Sequence, residues 1–179
     1  MKGRSFSLVP FPSARPLPAV KISGTVERRD EVLYLGYDLL GPTGAISIPA
    51  PSAEPVRRDG LWKETCFEMF LGPLKADRYW EFNFSPAGHW NVYRFEAYRE
   101  GMHEEQAFTA LPFFVKSRQG ALNLSVELDL AKIIPQGQAL KVGISAVLIS
   151  AEGDCTYWAL THPGPQPDFH RRDGFLIEC

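Results

Sequence analysis

The sequence predicts an all-β fold: a single-domain, antiparallel, jelly-roll-like β-sandwich of about ten strands, with at most a short helical turn. A chain of 179 residues can bury one substantial core without disulfides or metals. Its 15 prolines and 15 glycines are spread along the chain, which is typical of many turns between short strands. Between those turns, apolar and polar residues alternate with a period of two, as they do in strands.

The N-terminal part divides into an arm and the start of the sandwich. Residues 1–18 contain four prolines, which favour an extended arm because proline cannot donate a ladder hydrogen bond. Residues 19–179 are predicted to form the sandwich. Residues 19–29 and 32–40 alternate well enough to be an antiparallel pair, and residues 41–56 are broken by proline and glycine and predict a loop.

Three consecutive strands are predicted in the middle of the chain, at residues 63–71, 79–85 and 90–98. Each has one apolar face and one unusually polar face. The connections between them are short enough for hairpins, so we expect the three strands to be neighbours in one antiparallel sheet.

The C-terminal part continues in the same way. The pattern predicts a hairpin at residues 113–118 and 121–129, followed by a helical turn at 130–134. Two apolar strands are predicted at 140–150 and 154–160, then a proline-rich loop at 161–172 and a last strand at 175–177.

Composition excludes several classes of partner. A formal net charge of -2 gives no field that would attract nucleic acid or an anionic membrane. No segment approaches the roughly 20 apolar residues of a membrane span, and we identify no signal peptide. Three cysteines without a CxxC pair favour a reducing compartment, so we expect a cytoplasmic protein. The oligomeric state is left open.

The polar face of the central strands is the strongest functional feature. It combines carboxylates, an amide, a guanidinium and indole rings, the mixture that sugar hydroxyls and the C–H face of a sugar ring need. The candidate ligand-binding residues are Glu64, Glu68, Glu81, Asn83, Trp90 and Arg94, with Trp62 and Trp158 close to the strand ends. Three other interpretations stay open: an ordinary solvated face, a structural salt-bridge network, or a surface that meets another protein.

Catalysis is a further alternative, because glycosidases use two carboxyl groups about 5 to 10 Å apart. Glu64 and Glu68 would be roughly 13 Å apart along one strand. Glu81 on the next strand could approach either, which leaves an enzyme acting on a sugar derivative through Glu64 or Glu81 as a hypothesis. Cys66 lies between acidic neighbours that raise the pKa of a thiol, which disfavours a nucleophilic role.

The proline-rich loop contains the weak metal candidates His162, Asp168 and His170. Two histidines and a carboxylate can bind a metal ion, but this spacing matches no metal motif. The alternative is a loop whose Asp and His side chains bond its own backbone.

Several motifs resemble one known group of domains. GLWKETCFEMFLG, YWEFNFSPAGHWNVYRFEAYREGM, TYWALTHP and PDFH are similar to segments of the DOMON-like domains related to family 9 carbohydrate-binding modules, in particular their free-standing bacterial members. The resemblance covers the chain from about residue 20 onward and implies a β-sandwich. It also implies sugar binding through tryptophans with nearby Glu, Asn and Arg; the matching positions are Glu68, Glu81, Asn83 and Arg94, with Trp62, Trp90 or Trp158.

The same resemblance implies other ligands in some members. These are haem, held by axial Met and His, or calcium. Met69, Met102 and His89 do not match the haem pattern. We therefore expect no cofactor and predict non-catalytic binding of a small polar ligand, most plausibly a carbohydrate. A haem- or metal-binding domain is the first alternative.

Overall fold

A computed structural model describes residues 3–179 of the chain. The strands in chain order are β1 (Arg4–Ser7), β2 (Val9–Pro10), β3 (Lys21–Arg29), β4 (Val32–Leu40), β5 (Cys66–Pro73), β6 (Tyr79–Phe84), β7 (Trp90–Phe95), β8 (His103–Glu104), β9 (Phe113–Arg118), β10 (Ala121–Asp129), β11 (Leu140–Ile149), β12 (Cys155–Ala159) and β13 (Ile177–Glu178). Short 3₁₀ turns lie at Thr43–Ala45, Leu61–Lys63, Leu130–Lys132 and Arg172–Gly174. None of the helical turns in this part of the chain is long enough to cross a membrane.

The strands form two antiparallel sheets, which confirms the predicted β-sandwich. One sheet has the order β1-β3-β4-β10-β9, and the other has the order β2-β12-β11-β5-β6-β7-β8, with β13 also paired to β11. The described strands beyond the expected ten are β1, β2 and β8, of which β2 and β8 have two residues each. A two-residue strand shows no alternation that a sequence pattern could detect.

The N-terminal segment contains two short strands, one in each sheet, and residues 1 and 2 of the predicted arm lie outside the described residues. Strand β1 pairs with β3 in the five-stranded sheet, whereas β2 pairs with β12 in the eight-stranded sheet. Phe6 and Leu8 are buried in the core between the sheets. Residues 4–10 therefore contribute to the sandwich itself.

The main core fills the space between the two sheets. The eight-stranded sheet contributes the apolar positions of its central strands, among them Phe67, Met69 and Phe82, which are fully buried. Tyr37 reaches across from β4, and its hydroxyl donates a hydrogen bond of 2.6 Å to the carbonyl oxygen of Glu68. A buried hydroxyl needs such a partner, and this bond holds β5 against the opposite sheet.

A second aromatic cluster lies on the outer face of the eight-stranded sheet. Its buried members are Phe70, Tyr79, Tyr93, Phe95 and Phe175, and Trp62 and Phe169 pack against them. Two segments supply the outer layer: residues 57–64 and the covering loop, which we define as residues 160–171. These two segments therefore partly cover the polar face predicted from the sequence, and the space between them and the sheet is the candidate site.

Candidate functional site

A cavity of about 370 Å³ lies between the outer face of the eight-stranded sheet and the covering loop. Its size is in the usual range for small-molecule sites. The lining residues are Trp62, Glu68, Glu81, Phe95, Arg99, Met102, Val147, Tyr157, Pro167, Phe169 and His170.

The floor of the cavity is formed by two carboxyl groups, those of Glu68 on β5 and Glu81 on β6. Glu68 is directly opposite Asn83, and Glu81 is directly opposite Phe70, so the two glutamates are diagonal neighbours on one face. Diagonal neighbours in an antiparallel pair lie about 7–8 Å apart. Glu68 is 3% exposed and Glu81 is 5% exposed, so both carboxyl groups are largely removed from water.

A row of polar side chains supports the two glutamates across neighbouring strands. Ser145 on β11 donates to Oε2 of Glu68 at 3.4 Å, and Nδ2 of Asn83 donates to Oε1 of Glu81 at 2.8 Å. The thiol of Cys66 contacts Oδ1 of Asn83 at 3.6 Å. These contacts fix Asn83 below the floor, where its amide orients the carboxyl of Glu81.

Burial shifts the pKa of both glutamates upward. Desolvation, followed by the nearby Glu81, raises the pKa of Glu68 well above its ordinary value, and the hydrogen bond from Ser145 only partly opposes this. Desolvation also raises the pKa of Glu81 to about 7, although Asn83 and Arg99 act in the opposite direction. At neutral pH the pair therefore retains at least one proton, because two adjacent buried carboxylates repel each other.

His170 from the covering loop lies above Glu81. Its Nε2 is 3.7 Å from Oε2 of Glu81, and its Nδ1 is 2.8 Å from the hydroxyl of Tyr79. Desolvation and then the charge of Arg99 lower the pKa of His170 to about 4, so the ring is neutral at pH 7. The hydroxyl of Tyr79 also accepts from the backbone N–H of Arg99 at 3.2 Å, so it joins the imidazole to the turn after β7.

The mouth of the cavity is closed on one side by Arg99. The backbone of Arg99 has φ = 57°, an uncommon conformation for a residue other than glycine. Its guanidinium donates to Oδ1 of Asp168 at 2.8 Å, and the hydroxyl of Tyr98 donates to the other oxygen of Asp168. These bonds tie the turn after β7 to the covering loop.

Aromatic side chains form the walls. The ring of Trp62 meets Tyr93 edge to face, with centroids 5.7 Å apart, and Phe95 stacks on Tyr79 at 4.8 Å with parallel planes. Tyr157 and Phe169 meet at 6.1 Å on the opposite side. Each wall residue is held by another ring, so the apolar surfaces are preformed.

Of the residues predicted from the sequence, Glu68, Glu81 and Trp62 line this cavity, and Asn83 supports it from below. Trp90 and Arg94 were expected on the same face, and that placement is wrong. Trp90 is opposite Phe84 and lies in the main core, and Arg94 is opposite Trp80. The loop between β6 and β7 sets this register, and a shift of one residue moves every side chain to the other face.

Glu64 and Trp158 are also outside the cavity. The side chain of Glu64 is about half exposed and lies 3.6 Å from Arg58, whereas Trp158 is buried in the main core and donates to Oγ1 of Thr156. Of the two carboxyl groups considered for catalysis, that of Glu81 therefore lies in the cavity and that of Glu64 does not.

The candidate metal ligands are engaged elsewhere. His162 bonds the carbonyl oxygen of Val9 at 2.9 Å, Asp168 binds Arg99, and His170 binds Tyr79. Among residues 3–179, no three His, Cys, Asp or Glu side chains come together in a way that could hold a metal ion.

Two of the three residues considered for haem ligation are engaged elsewhere. Met69 is buried in the main core, and the Nδ1 atom of His89 already accepts from the backbone N–H of Val56. Met69 and His89 are therefore not placed to act as axial haem ligands, whereas Met102 lines the cavity.

Sequence analysis missed most of the walls and the mouth: Phe95, Arg99, Met102, Val147, Tyr157, Pro167 and Phe169. Phe95 could have been found from the hairpin register, because it is opposite Tyr79. Arg99 and Phe169 are brought to the site by loops that meet only in the folded chain, and no local pattern marks them.

Comparisons with known proteins identify a shared fold. No family model matches the chain, and no curated protein matches it. The solved structure of a candidate carbohydrate-binding protein from Bacteroides uniformis matches with a TM-score of 0.70 and 16% identity, over 96% of this chain and 84% of that one. At this identity the likeness shows that the two chains have the same fold.

Two further structures are more distant. They are a family 9 carbohydrate-binding module from Caldicellulosiruptor kristjanssonii in complex with cellotriose and in complex with glucose. Each covers 80% of this chain at 10% identity, and 67% and 68% of the respective modules, with TM-scores of 0.48 and 0.47. The superposition is partial, and the resemblance to DOMON-like domains stays a prediction.

Proposed function

We propose that this protein binds a small carbohydrate in the cavity above Glu68 and Glu81 without converting it. The observation that carries this proposal is the combination of two buried carboxyl groups on the floor with aromatic walls. Carboxyl oxygens accept hydrogen bonds from ring hydroxyls, and a protonated carboxyl also donates one. The rings of Trp62 and Phe169 supply flat apolar surfaces for the C–H groups of a sugar.

The placement of the two carboxyl groups favours binding over hydrolysis. A glycosidase needs one carboxyl group on each side of the scissile bond. Glu68 and Glu81 project from neighbouring strands of the same sheet face, so both would lie on the same side of a ring in the cavity. They can hold vicinal hydroxyls, but they do not flank a glycosidic bond.

The fold supports the same class of ligand. The neighbour from Bacteroides uniformis is a candidate carbohydrate-binding protein, and its structure matches nearly the whole chain. The volume of about 370 Å³ suits one or two sugar rings rather than a long polymer.

Calorimetric titration of the wild-type protein with a panel of monosaccharides and disaccharides tests the proposal. We expect at least one sugar to bind, and Glu81→Gln to weaken that binding about tenfold or more, because hydrogen bonds to charged or partly charged groups contribute about 1.5–3 kcal/mol. Glu64→Gln is the matched control, since Glu64 lies outside the cavity, and it should bind like wild type. If no sugar in the panel binds at millimolar concentration, the proposal is wrong.

A further inference from the structure

Each carboxyl group on the cavity floor has one oxygen that accepts no hydrogen bond from the described residues. Oε2 of Glu68 accepts only the long bond from Ser145, and Oε1 of Glu81 accepts from Asn83. Oε2 of Glu81 is 3.7 Å from His170, beyond hydrogen-bond distance. Within residues 3–179, each carboxyl group therefore has one oxygen without a donor, and the ligand is the natural source of the missing ones.

The basic side chains near the floor are either paired with a carboxylate or neutral. The basic side chains among the lining residues are Arg99 and His170. The guanidinium of Arg99 is paired with Asp168 at 2.8 Å, and burial keeps His170 neutral at pH 7. Among the described residues, the protein thus supplies no unpaired positive charge for Glu68 and Glu81.

The walls are suited to a positive charge as well. Aromatic faces carry negative electrostatic potential and attract ammonium groups within about 6 Å. Four rings border the cavity, those of Trp62, Phe95, Tyr157 and Phe169. A cation inside would meet carboxyl oxygens below and aromatic rings at the sides.

We propose that the cavity selects an amino sugar, whose primary ammonium group binds between Glu68 and Glu81. An ammonium group has three N–H donors, enough for both oxygens that lack a partner. Its positive charge also stabilises the ionised form of this pair, whose burial is otherwise unfavourable. This inference rests on the proposed function, because it assigns the sugar class that the same cavity takes.

Calorimetry at pH 7 with matched sugars tests the inference. The probes are D-glucosamine and 6-amino-6-deoxy-D-glucose, which carry the ammonium at two different positions, with D-glucose, N-acetyl-D-glucosamine and D-glucuronate for comparison. We expect at least one amino sugar to bind roughly ten- to one hundredfold more tightly than glucose. N-acetylation removes the charge and should abolish the preference, and glucuronate should bind most weakly.

Variants separate the carboxyl groups from general effects on the fold. Glu68→Gln and Glu81→Gln should each reduce the preference for the amino sugar over glucose by about tenfold, and both should unfold cooperatively, since glutamine has nearly the shape of a protonated glutamate and cannot ionise. Glu64→Gln should keep the wild-type preference. Equal binding of glucose and both amino sugars, or tighter binding of glucuronate, would overturn the inference and leave the proposed function intact. Binding of no sugar at all would overturn both.

Discussion

The hydroxyl of Tyr79 lies 2.8 Å from Nδ1 of His170, and this hydrogen bond joins strand β6 to the covering loop. It is the polar contact that sets the orientation of the imidazole above Glu81. Because desolvation holds the pKa of His170 at about 4, the ring above the floor of the cavity is neutral at pH 7 rather than a cation. The cavity is therefore organised around a tyrosine, a neutral histidine and a pair of carboxyl groups.

The first prediction concerns this bond. Tyr79→Phe should lower the free energy of unfolding by about 1–2 kcal/mol, because it leaves Nδ1 of the mostly buried His170 without its hydrogen-bond partner. It should also weaken sugar binding, since the imidazole and the covering loop lose their anchor. Urea titration and calorimetry measure the two effects. Tyr34→Phe, on the outer face of the other sheet, should change neither quantity.

The second prediction follows from the raised pKa of Glu81. The folded chain binds a proton at Glu81 up to about pH 7, whereas the unfolded chain releases it near 4.5. The contribution of this group to stability is therefore complete below pH 4.5 and is lost as the pH rises through about 7. Glu81→Gln removes the titration, so its free energy of unfolding should exceed that of wild type by about 2–3 kcal/mol at pH 8 and by little at pH 5.

Other titrating groups do not obscure that comparison. His170 has a lowered pKa and acts in the opposite direction between about pH 4 and 6.5, and Glu68 and Arg99 also face Glu81. His170 and Arg99 are present in both proteins, so their own contributions largely cancel in the difference. Removing the charge of Glu81 makes the pKa of Glu68 less raised, and this change also favours Glu81→Gln at high pH. Urea titrations of both proteins from pH 5 to 8 provide the check. A constant difference across that range would contradict the assigned pKa of Glu81.

The third prediction concerns the tie between Arg99 and the covering loop. Asp168→Asn removes the charge that binds Arg99 and Tyr98. Because a partly exposed pair contributes only about 0.2–1 kcal/mol, stability should change little, but the loop should exchange its amide hydrogens faster and ligand affinity should fall. Asp173→Asn is the control, since Asp173 pairs with Arg171 at 2.6 Å on the exposed side. Equal effects of the two variants on affinity would argue against a role for the tie.

The fourth prediction separates two tryptophans that the sequence treated alike. Trp158→Ala should destabilise the fold by about 3–5 kcal/mol, because Trp158 is buried in the main core. Trp62→Ala should cost less stability but reduce sugar affinity about tenfold, because Trp62 forms a wall of the cavity. Thermal unfolding and calorimetry distinguish the two. A Trp62→Ala protein that binds sugar like wild type would contradict its assignment to the site.

The sequence predicted the sandwich and the floor of the site for a simple physical reason. Within one strand, alternation alone places Glu68, or Glu81 with Asn83, on the face opposite the core residues. It could not place Trp90 and Arg94, because their face depends on the register of the hairpin, which is set by the loop from Ser85 to His89.

Local sequence patterns could not predict the residues at the mouth of the cavity. Arg99 reaches the site through a left-handed backbone conformation, which residues other than glycine rarely adopt. Its partner Asp168 is 69 residues away in the chain. Phe169 and His170 come from a loop whose prolines indicate a turn but not where it docks. Such positions are set by tertiary contacts, which have no period in the sequence.

The pairing of β5 with β11 determines the stage of folding at which the site forms. Glu68 and Ser145 are 77 residues apart, yet they lie opposite each other at the junction of these strands. Hairpins such as β5-β6 close quickly, whereas a junction between distant segments must first overcome the entropy of a long loop. We therefore expect refolding in milliseconds to seconds, with ligand-binding capacity recovered only in the last phase, when the two halves of the sheet have joined.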